Sequence, residues 1–141
     1  MTEVDALQDA LAGEHAVIWG YGVVGAEAAE QHLPAVRVAE QAHRTRRDDT
    51  ADLLRSMSAE PIEAEAYYEL PFPVTDPASA VSLAVHLEQG AAAAWRFVLG
   101  QTEDAELRRT ALVALTESAL QAVQWRLQAG IAPATVAFPG Q

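Results

Sequence analysis

Residues 7–33, with the sequence LQDALAGEHAVIWGYGVVGAEAAEQHL, allow two interpretations that lead to different folds. Gly20, Gly22 and Gly25 match the Gly-x-Gly-x-x-Gly pattern of dinucleotide-binding proteins and follow a strand-like segment at 17–19. Glu40 lies twenty residues after Gly20, where such proteins place the acidic residue that binds the ribose. On this interpretation the chain is a dinucleotide-binding protein.

The other interpretation of this segment is a single amphipathic helix. Residues 77–129 contain no β-branched segment bounded by turns, which a nucleotide-binding sheet would need. Each glycine inside a helix costs about 1 kcal/mol relative to alanine, so we expect a neighbouring helix to approach closely there. We predict the helix because apolar or small residues keep helical spacing through the glycines: Val4, Leu7, Leu11, Ile18, Gly22, Gly25, Ala29 and Leu33.

Proline, glycine and capping residues divide the whole chain into four long helical segments. We predict helices at residues 3–32, 35–57, 77–99 and 102–129. The segment 58–77 contains four prolines and is interpreted as an ordered connection.

The lengths of the connections predict how the helices are arranged. Short first and third connections make antiparallel hairpins. The middle connection of about 18 residues can span up to ~60 Å, which exceeds the ~35 Å length of a helix. We therefore predict an all-α, ferritin-like four-helix bundle, in which a long crossover joins two antiparallel helical hairpins. The bundle is expected to span residues 1–130, followed by an extended C-terminal tail at 131–141.

The composition narrows the range of functions. The 141 residues include thirty alanines, the best helix former, and no cysteine, which excludes thiolate metal sites and cysteine nucleophiles. The net charge of −11 opposes binding to nucleic acid and to anionic membranes. No uncharged segment is long enough to span a bilayer, and the acidic amino terminus is unlike a signal peptide. We expect a cytoplasmic protein that binds neither nucleic acid nor membrane.

Each predicted helix carries a carboxylate among its inward-facing residues, and on the second helix this carboxylate forms a Glu-x-x-His motif. On the fourth helix, Glu117 is in line with Val113, Leu120 and Leu127, which predicts that this apolar stripe faces inward. Such Glu and Glu-x-x-His residues are the ligands of carboxylate-bridged di-metal sites in helical bundles. Carboxylate and imidazole ligands suit iron or manganese. Leu120 stands where the second His is expected, so five of the six ligand positions are filled. The candidate metal ligands are Glu14, Glu40, His43, Glu88 and Glu117.

Without a metal, buried carboxylates need another source of positive charge. Arg47 follows His43 by four residues on the same helix face, so its guanidinium can pair with a buried Glu.

No Ser, His and Asp residues can be placed as a hydrolase triad, which favours a protein without catalytic activity. The alternative function is a non-catalytic helical interaction module. The glycine-lined face of the first helix suggests that it forms a homodimer.

Several segments recur together in one known family. They are Leu11–Ala16, Gly20–Val24, His43–Asp48, Leu70–Val74, Glu88 with Ala94–Arg96, and Ala137–Gly140. With these segments, nearly the whole chain resembles the alanine-rich ferritin-like domain family of unknown function from high-GC bacteria. The resemblance implies a ferritin-like bundle and no particular activity.

The resemblance also implies which residues form the polar cluster in the core. The recurrent residues of the family fall on Glu14, His15, His43, Arg47 and Glu88, whereas Glu40 and Glu117 are not among them. It therefore favours a core polar cluster, with or without one metal ion, of Glu14, His43, Arg47 and Glu88.

Overall fold

The structure is a computed structural model that describes residues 1–141. It contains four long helices and no strand, as the sequence predicts. None of the helices combines the length and the apolar character that crossing a membrane requires. The helices are α1 (Glu3–Glu27), α2 (Leu33–Ser56), α3 (Pro77–Gln101) and α4 (Ala105–Ala129), with one short 3-10 turn at Glu30–His32.

Side-chain caps set where α1 and α3 begin. The Thr2 hydroxyl accepts a hydrogen bond from the Asp5 backbone N–H at 3.1 Å, and the Asp5 carboxylate accepts one from the Thr2 N–H at 2.9 Å. This reciprocal capping box satisfies N–H groups that the first turn leaves unpaired. Asp76 caps α3 in the same way by accepting from the Ser79 N–H at 2.8 Å.

Two helix ends were predicted with different success. Gly130 ends α4 as expected, in the left-handed conformation with φ of 68°. In contrast, α1 ends at Glu27 and does not continue to His32. The chain leaves the helix because Ala28 is extended, with φ −65° and ψ 149°.

The helices form two antiparallel hairpins, α1 with α2 and α3 with α4, and α1 also packs against α3. Leu7 near the start of α1 shares an apolar cluster with Leu54 near the end of α2, Trp95 near the end of α3 and Leu107 near the start of α4. Therefore α1 runs antiparallel to α2 and α3 and parallel to α4. This is the predicted ferritin-like arrangement.

The connection at 57–76 crosses the bundle along α1. The imidazole Nε2 of His15 lies 3.0 Å from the carbonyl oxygen of Ile62. One turn further along α1, the ring of Trp19 packs edge-on against Tyr68, with 6.0 Å between the ring centroids. Because later residues of the connection contact later residues of α1, the connection runs along this helix, as the predicted crossover requires.

The core-facing side of α1 differs in part from the predicted one. Leu7 and Leu11 are buried as expected. Beyond Glu14 the prediction continued through Ile18, Gly22 and Gly25, whereas the structure buries Val17, Tyr21 and Val24. The predicted face is therefore rotated by one residue in the second half of the helix.

The glycines at 20–25 lie inside α1 and do not form a loop. A Cβ atom on Gly20 would lie 2.6 Å from Cδ2 of Leu87 on α3, so the predicted close approach of a helix occurs here. A Cβ atom on Gly22 would meet nothing within 4 Å. A dinucleotide site needs a strand, a turn and the start of a helix to present backbone N–H groups to the pyrophosphate. This segment lacks that geometry.

The apolar stripe predicted to face inward on α4 lies on the surface. Val113, Leu120 and Leu127 are 51, 61 and 60% exposed. The buried face of α4 carries smaller residues, including Ala111, Ala114, Ser118 and Ala122. Small residues allow close helix packing, so the hydrophobicity of single residues does not identify the core face of α4.

The C-terminal tail folds back onto α3 and α4. The guanidinium Nη1 of Arg126 donates to the carbonyl oxygen of Ala134 at 3.2 Å. Gly140 has φ of 85°, and a Cβ atom there would lie 2.8 Å from the carbonyl oxygen of Ala92. Glycine is needed at this point because the backbone is left-handed and closely packed.

Candidate functional site

Three ionisable side chains from three helices meet at the centre of the bundle. His43 of α2 lies between two carboxylates. Its Nδ1 lies 2.5 Å from Oε2 of Glu14 on α1, and its Nε2 lies 2.9 Å from Oε1 of Glu88 on α3. All three side chains are buried. The imidazolium form satisfies both contacts, because only this form carries a proton on each ring nitrogen.

Arg46 links this group to α4. Its Nη1 donates to Oε1 of Glu14 at 3.2 Å and to Oγ of Ser118 at 3.0 Å, and its Nη2 donates to Oε2 of Glu117 at 2.8 Å. The Arg46 side chain is only 11% exposed. It therefore supplies the second positive charge that offsets the two buried carboxylates. Around this bridge the groove between α2 and α4 is open, with cavities of about 540 and 310 Å³.

Three aromatic side chains donate further hydrogen bonds. Trp95 Nε1 donates to Oε1 of Glu14 at 2.8 Å, and the Tyr21 hydroxyl donates to Oε1 of Glu88 at 2.5 Å. Trp125 Nε1 in turn donates to the Tyr21 oxygen at 2.9 Å. Each ring packs in the apolar core while its polar atom joins the network. Tyr21 and Trp125 belong to one apolar cluster of the core and Trp95 belongs to the other, so these hydrogen bonds connect the polar centre to both clusters.

The two buried carboxylates are not equally satisfied. Both oxygens of Glu14 accept hydrogen bonds. Glu88 accepts two hydrogen bonds at Oε1 and none at Oε2, although Oε2 is buried. Buried polar atoms are nearly always paired. Glu88 Oε2 is thus an acceptor for which the chain supplies no donor.

The network changes the pKa values of its members. Burial disfavours the imidazolium of His43, but the hydrogen bonds and charges of Glu14 and Glu88 outweigh burial and raise the pKa of His43 from 6.5 to about 9. Burial also acts to raise the pKa of Glu14. The hydrogen bond from His43 and the positive charges of His43 and Arg46 nevertheless hold that pKa below its usual value. At neutral pH His43 is therefore cationic and Glu14 anionic.

The structure brings together three of the four residues of the predicted core cluster, Glu14, His43 and Glu88. The fourth, Arg47, lies outside, where its Nε donates to Asp48 at 2.9 Å. Arg46 takes the inner position instead. Arg46 and Arg47, three and four positions after His43, both lie near its helix face. The spacing alone therefore does not show which of the two side chains points into the bundle.

Glu40 and Glu117, the other predicted metal ligands, do not face the central group. Glu40 forms an ion pair with Arg44 along α2, at 2.7 Å. Glu117 is more than half exposed and reaches the network only through Arg46. In the whole chain no three His, Asp or Glu side chains are arranged to hold a metal ion.

Sequence reasoning missed the neutral donors of the network. A usable signal was present, because Tyr21 follows Glu14 by seven residues and Trp95 follows Glu88 by seven. Two helical turns keep such residues on one face. A buried carboxylate followed at this distance by an aromatic N–H or O–H donor predicts a hydrogen-bonded core.

Arg46 and its neighbour provide a matched test of the network. Arg46→Gln removes one partner of a buried ion pair, so we expect it to lower the free energy of unfolding by about 3 kcal/mol or more. Arg47→Gln changes a pair near the surface, and we expect it to stay within about 0.5 kcal/mol of the unmutated chain. Urea unfolding of both variants measures the difference. Equal losses would contradict the placement of Arg46.

Stability is expected to depend on pH through the same groups. The stabilisation from the His43 imidazolium is complete below pH 6.5 and is lost as the pH rises through about 9. The loss is on the order of 3 kcal/mol. The contribution of Glu14 is present above its unfolded pKa of 4.5 and is lost as the pH falls through its lowered folded value. Urea unfolding at a series of pH values measures both changes. In His43→Gln the alkaline decline should disappear, and its persistence would show that another group causes it.

Comparison with solved structures places this geometry among known folds. A conserved hypothetical protein, rv2844, from Mycobacterium tuberculosis is 42% identical, with a TM-score of 0.87, over 89% of this chain and 96% of that one. A bacterioferritin-related protein from Bacteroides fragilis, described as a dodecameric thioferritin, is 17% identical, with a TM-score of 0.74, over 91% of this chain and 86% of that one. At 17% identity, the similarity to the Bacteroides fragilis protein shows only that the fold is ferritin-like.

The sequence comparisons are consistent with the structural ones. No curated protein sequence matches the chain significantly. The model of a family described as a domain of unknown function, DUF4439, matches residues 6–141. The predicted resemblance to a ferritin-like family of unknown function is thus confirmed at this level, and the chain belongs to the DUF4439 family.

Proposed function

We propose that this protein is a ferritin-like bundle whose centre is held by a hydrogen-bonded ion network in place of a di-metal site, and that it acts by binding and not by catalysis. The observation that carries the proposal is the position of His43, with a carboxylate oxygen at each of its two ring nitrogens.

The donor set fits poorly to a metal centre. A metal ion needs a lone pair on a neutral imidazole, whereas both ring nitrogens of His43 are occupied and its pKa is raised to about 9. The two carboxylates lie on different sides of the ring, which separates them. Of the remaining predicted ligands, Glu40 and Glu117 pair with Arg44 and Arg46.

Metal analysis tests this proposal. The protein is purified without chelator, incubated with Fe²⁺ or Mn²⁺, desalted and subjected to elemental analysis. We expect far less than one metal ion per chain, and no rise in Tm when either ion is added, because only a ligand of the native state raises Tm. One ion per chain in the unmutated protein, lost in Glu88→Gln, would contradict the proposal.

A second candidate function is that of a homodimeric interaction module, and the outer face of α4 favours it. Leu112, Val113, Leu120 and Leu127 are each more than half exposed there. Between residues 110 and 125 the only charged residue is Glu117. In a chain with a net charge of −11, two copies approach with least repulsion along such a surface.

Sedimentation measures this association. We expect the unmutated chain to sediment as a pair of 15.1 kDa chains at micromolar concentration. Leu120→Glu should give the monomer, because it places a charge in the apolar contact. Phe97→Glu is the control, since Phe97 is an exposed apolar residue on α3, and it should leave the dimer intact. A monomeric unmutated chain would overturn this second candidate.

A further inference from the structure

A cavity of about 190 Å³ lies between α3, α4 and the C-terminal tail. Its walls are mostly apolar, with Ala92, Ala119, Val123 and Val136 among the lining residues. Arg126 of α4 is the only basic residue that lines it. The cavity thus combines a hydrocarbon surface with one cationic group.

The cationic group is a buried arginine without a counterion. Arg126 is only 5% exposed, and no carboxylate lies within 4.0 Å of its guanidinium. Its one side-chain hydrogen bond is from Nη1 to the carbonyl oxygen of Ala134, at 3.2 Å. Buried arginines normally pair with an anion, because removing the charge from water costs free energy that a partner must offset.

The opposite edge of the guanidinium is accessible and has no acceptor in the chain. Nη1 carries the only hydrogen bond of Arg126, so Nε and Nη2 donate to no protein atom. Neither of these two atoms is sealed in the core, because the only fully buried side-chain nitrogen and oxygen atoms without a partner are Nδ1 of His32 and Oε2 of Glu88. The N–H groups of Nε and Nη2 lie side by side in one plane and match the two oxygens of a carboxylate.

Glu88, which also lines the cavity, takes no part in this site. Its Oε2 is fully buried, and its Oε1 is paired with His43. The charges of Glu88 and Glu14 are offset by the cations of His43 and Arg46. Arg126 is therefore the one group in the cavity that can bind a charged ligand.

We propose that this cavity binds a short aliphatic monocarboxylate. The two carboxylate oxygens accept hydrogen bonds from Nε and Nη2 of Arg126, and the hydrocarbon chain contacts Val123 and Val136. This inference rests on the proposed function and deepens it, because it names a class of ligand for a protein that acts by binding.

Size, charge and the chemistry of the walls all favour this class of ligand. The cavity is roughly six times the ~30 Å³ that one molecule occupies in liquid water, which suits a ligand of about six non-hydrogen atoms, such as butanoate. One negative charge balances the single arginine, whereas an uncharged molecule leaves the guanidinium without a counterion. Phosphate or sulfate brings further oxygens for which the apolar walls offer no donor.

Titration with butanoate tests the proposal, and butanamide, acetate and phosphate are the comparison compounds. All titrations are run at constant ionic strength, so that screening of charge does not differ between them. Backbone amide NMR signals of residues 131–141 report binding, because this tail forms one wall of the cavity. We expect a saturable shift with butanoate.

Each comparison compound removes one feature of the ligand. Butanamide lacks the charge, and we expect it to bind more weakly by roughly tenfold or more. Acetate lacks two CH₂ groups that contact the apolar walls, so it should also bind roughly tenfold more weakly. Phosphate should bind more weakly than butanoate. No saturable shift with butanoate, or equally tight binding of any comparison compound, would overturn the proposal.

Variants connect the binding to the cavity. Arg126→Gln should weaken butanoate binding roughly tenfold or more, and butanoate should no longer bind more tightly than butanamide, since the charged partner is gone. Arg109→Gln is the matched control, because Arg109 lies on the same helix in an exposed pair with Glu106, and it should bind butanoate normally. Ala119→Phe fills the cavity and keeps the arginine, so it should also abolish binding and serves if Arg126→Gln fails to fold. Normal binding in a folded Arg126→Gln or Ala119→Phe protein would overturn the proposal.

Metal analysis of the same sample separates the two proposals. A metal-free protein that does not bind butanoate overturns only the monocarboxylate site. A stoichiometric metal ion lost in Glu88→Gln overturns the proposed function, whatever the butanoate result.

Discussion

The position of His43 between Glu14 and Glu88 is the constraint on which the rest of the bundle depends. Two carboxylates taken out of water require two positive charges nearby, and the imidazolium of His43 and the guanidinium of Arg46 supply them. The carboxylate oxygens can accept more hydrogen bonds than these two cations donate. This explains why Tyr21 and Trp95, which carry an O–H and an N–H donor, lie next to the charges. Without an N–H or O–H donor, an apolar side chain at those positions would leave carboxylate oxygens unpaired.

The same network explains how helices rich in alanine hold one register. Small buried residues such as Ala84 and Ala111 interlock less specifically than large ones, and sliding two such helices past each other changes little in the apolar contact. Hydrogen bonds between charged groups depend on distance and direction. We infer that the contacts joining α1, α2 and α3 through His43, and α2 with α4 through Arg46, select the observed register.

Sequence alone predicts the four helices, the crossover and the three buried ionisable residues, because helix periodicity and connection length control those features. Arg46 was missed because Arg46 and Arg47 both lie near the helix face of His43, and helical spacing does not decide which of them points inward. The outer face of α4 was mistaken for its core face because this bundle buries Ala111 and exposes Leu120. Periodicity finds a core when large residues fill it, and it fails when close packing selects small ones. The hydrogen bond between Arg126 and Ala134 depends on how the tail folds back, which no local pattern encodes.

Nitrogen NMR of His43 is the most direct test of a centre held by a metal-free ion pair. Labelled imidazole reports separately whether Nδ1 and Nε2 carry protons. At pH 7.5 we expect protons on both nitrogens of His43, and these protons should persist until the pH approaches about 9. A neutral ring at pH 7.5, or one ring nitrogen coordinated to a metal ion, would contradict a centre held by a metal-free ion pair.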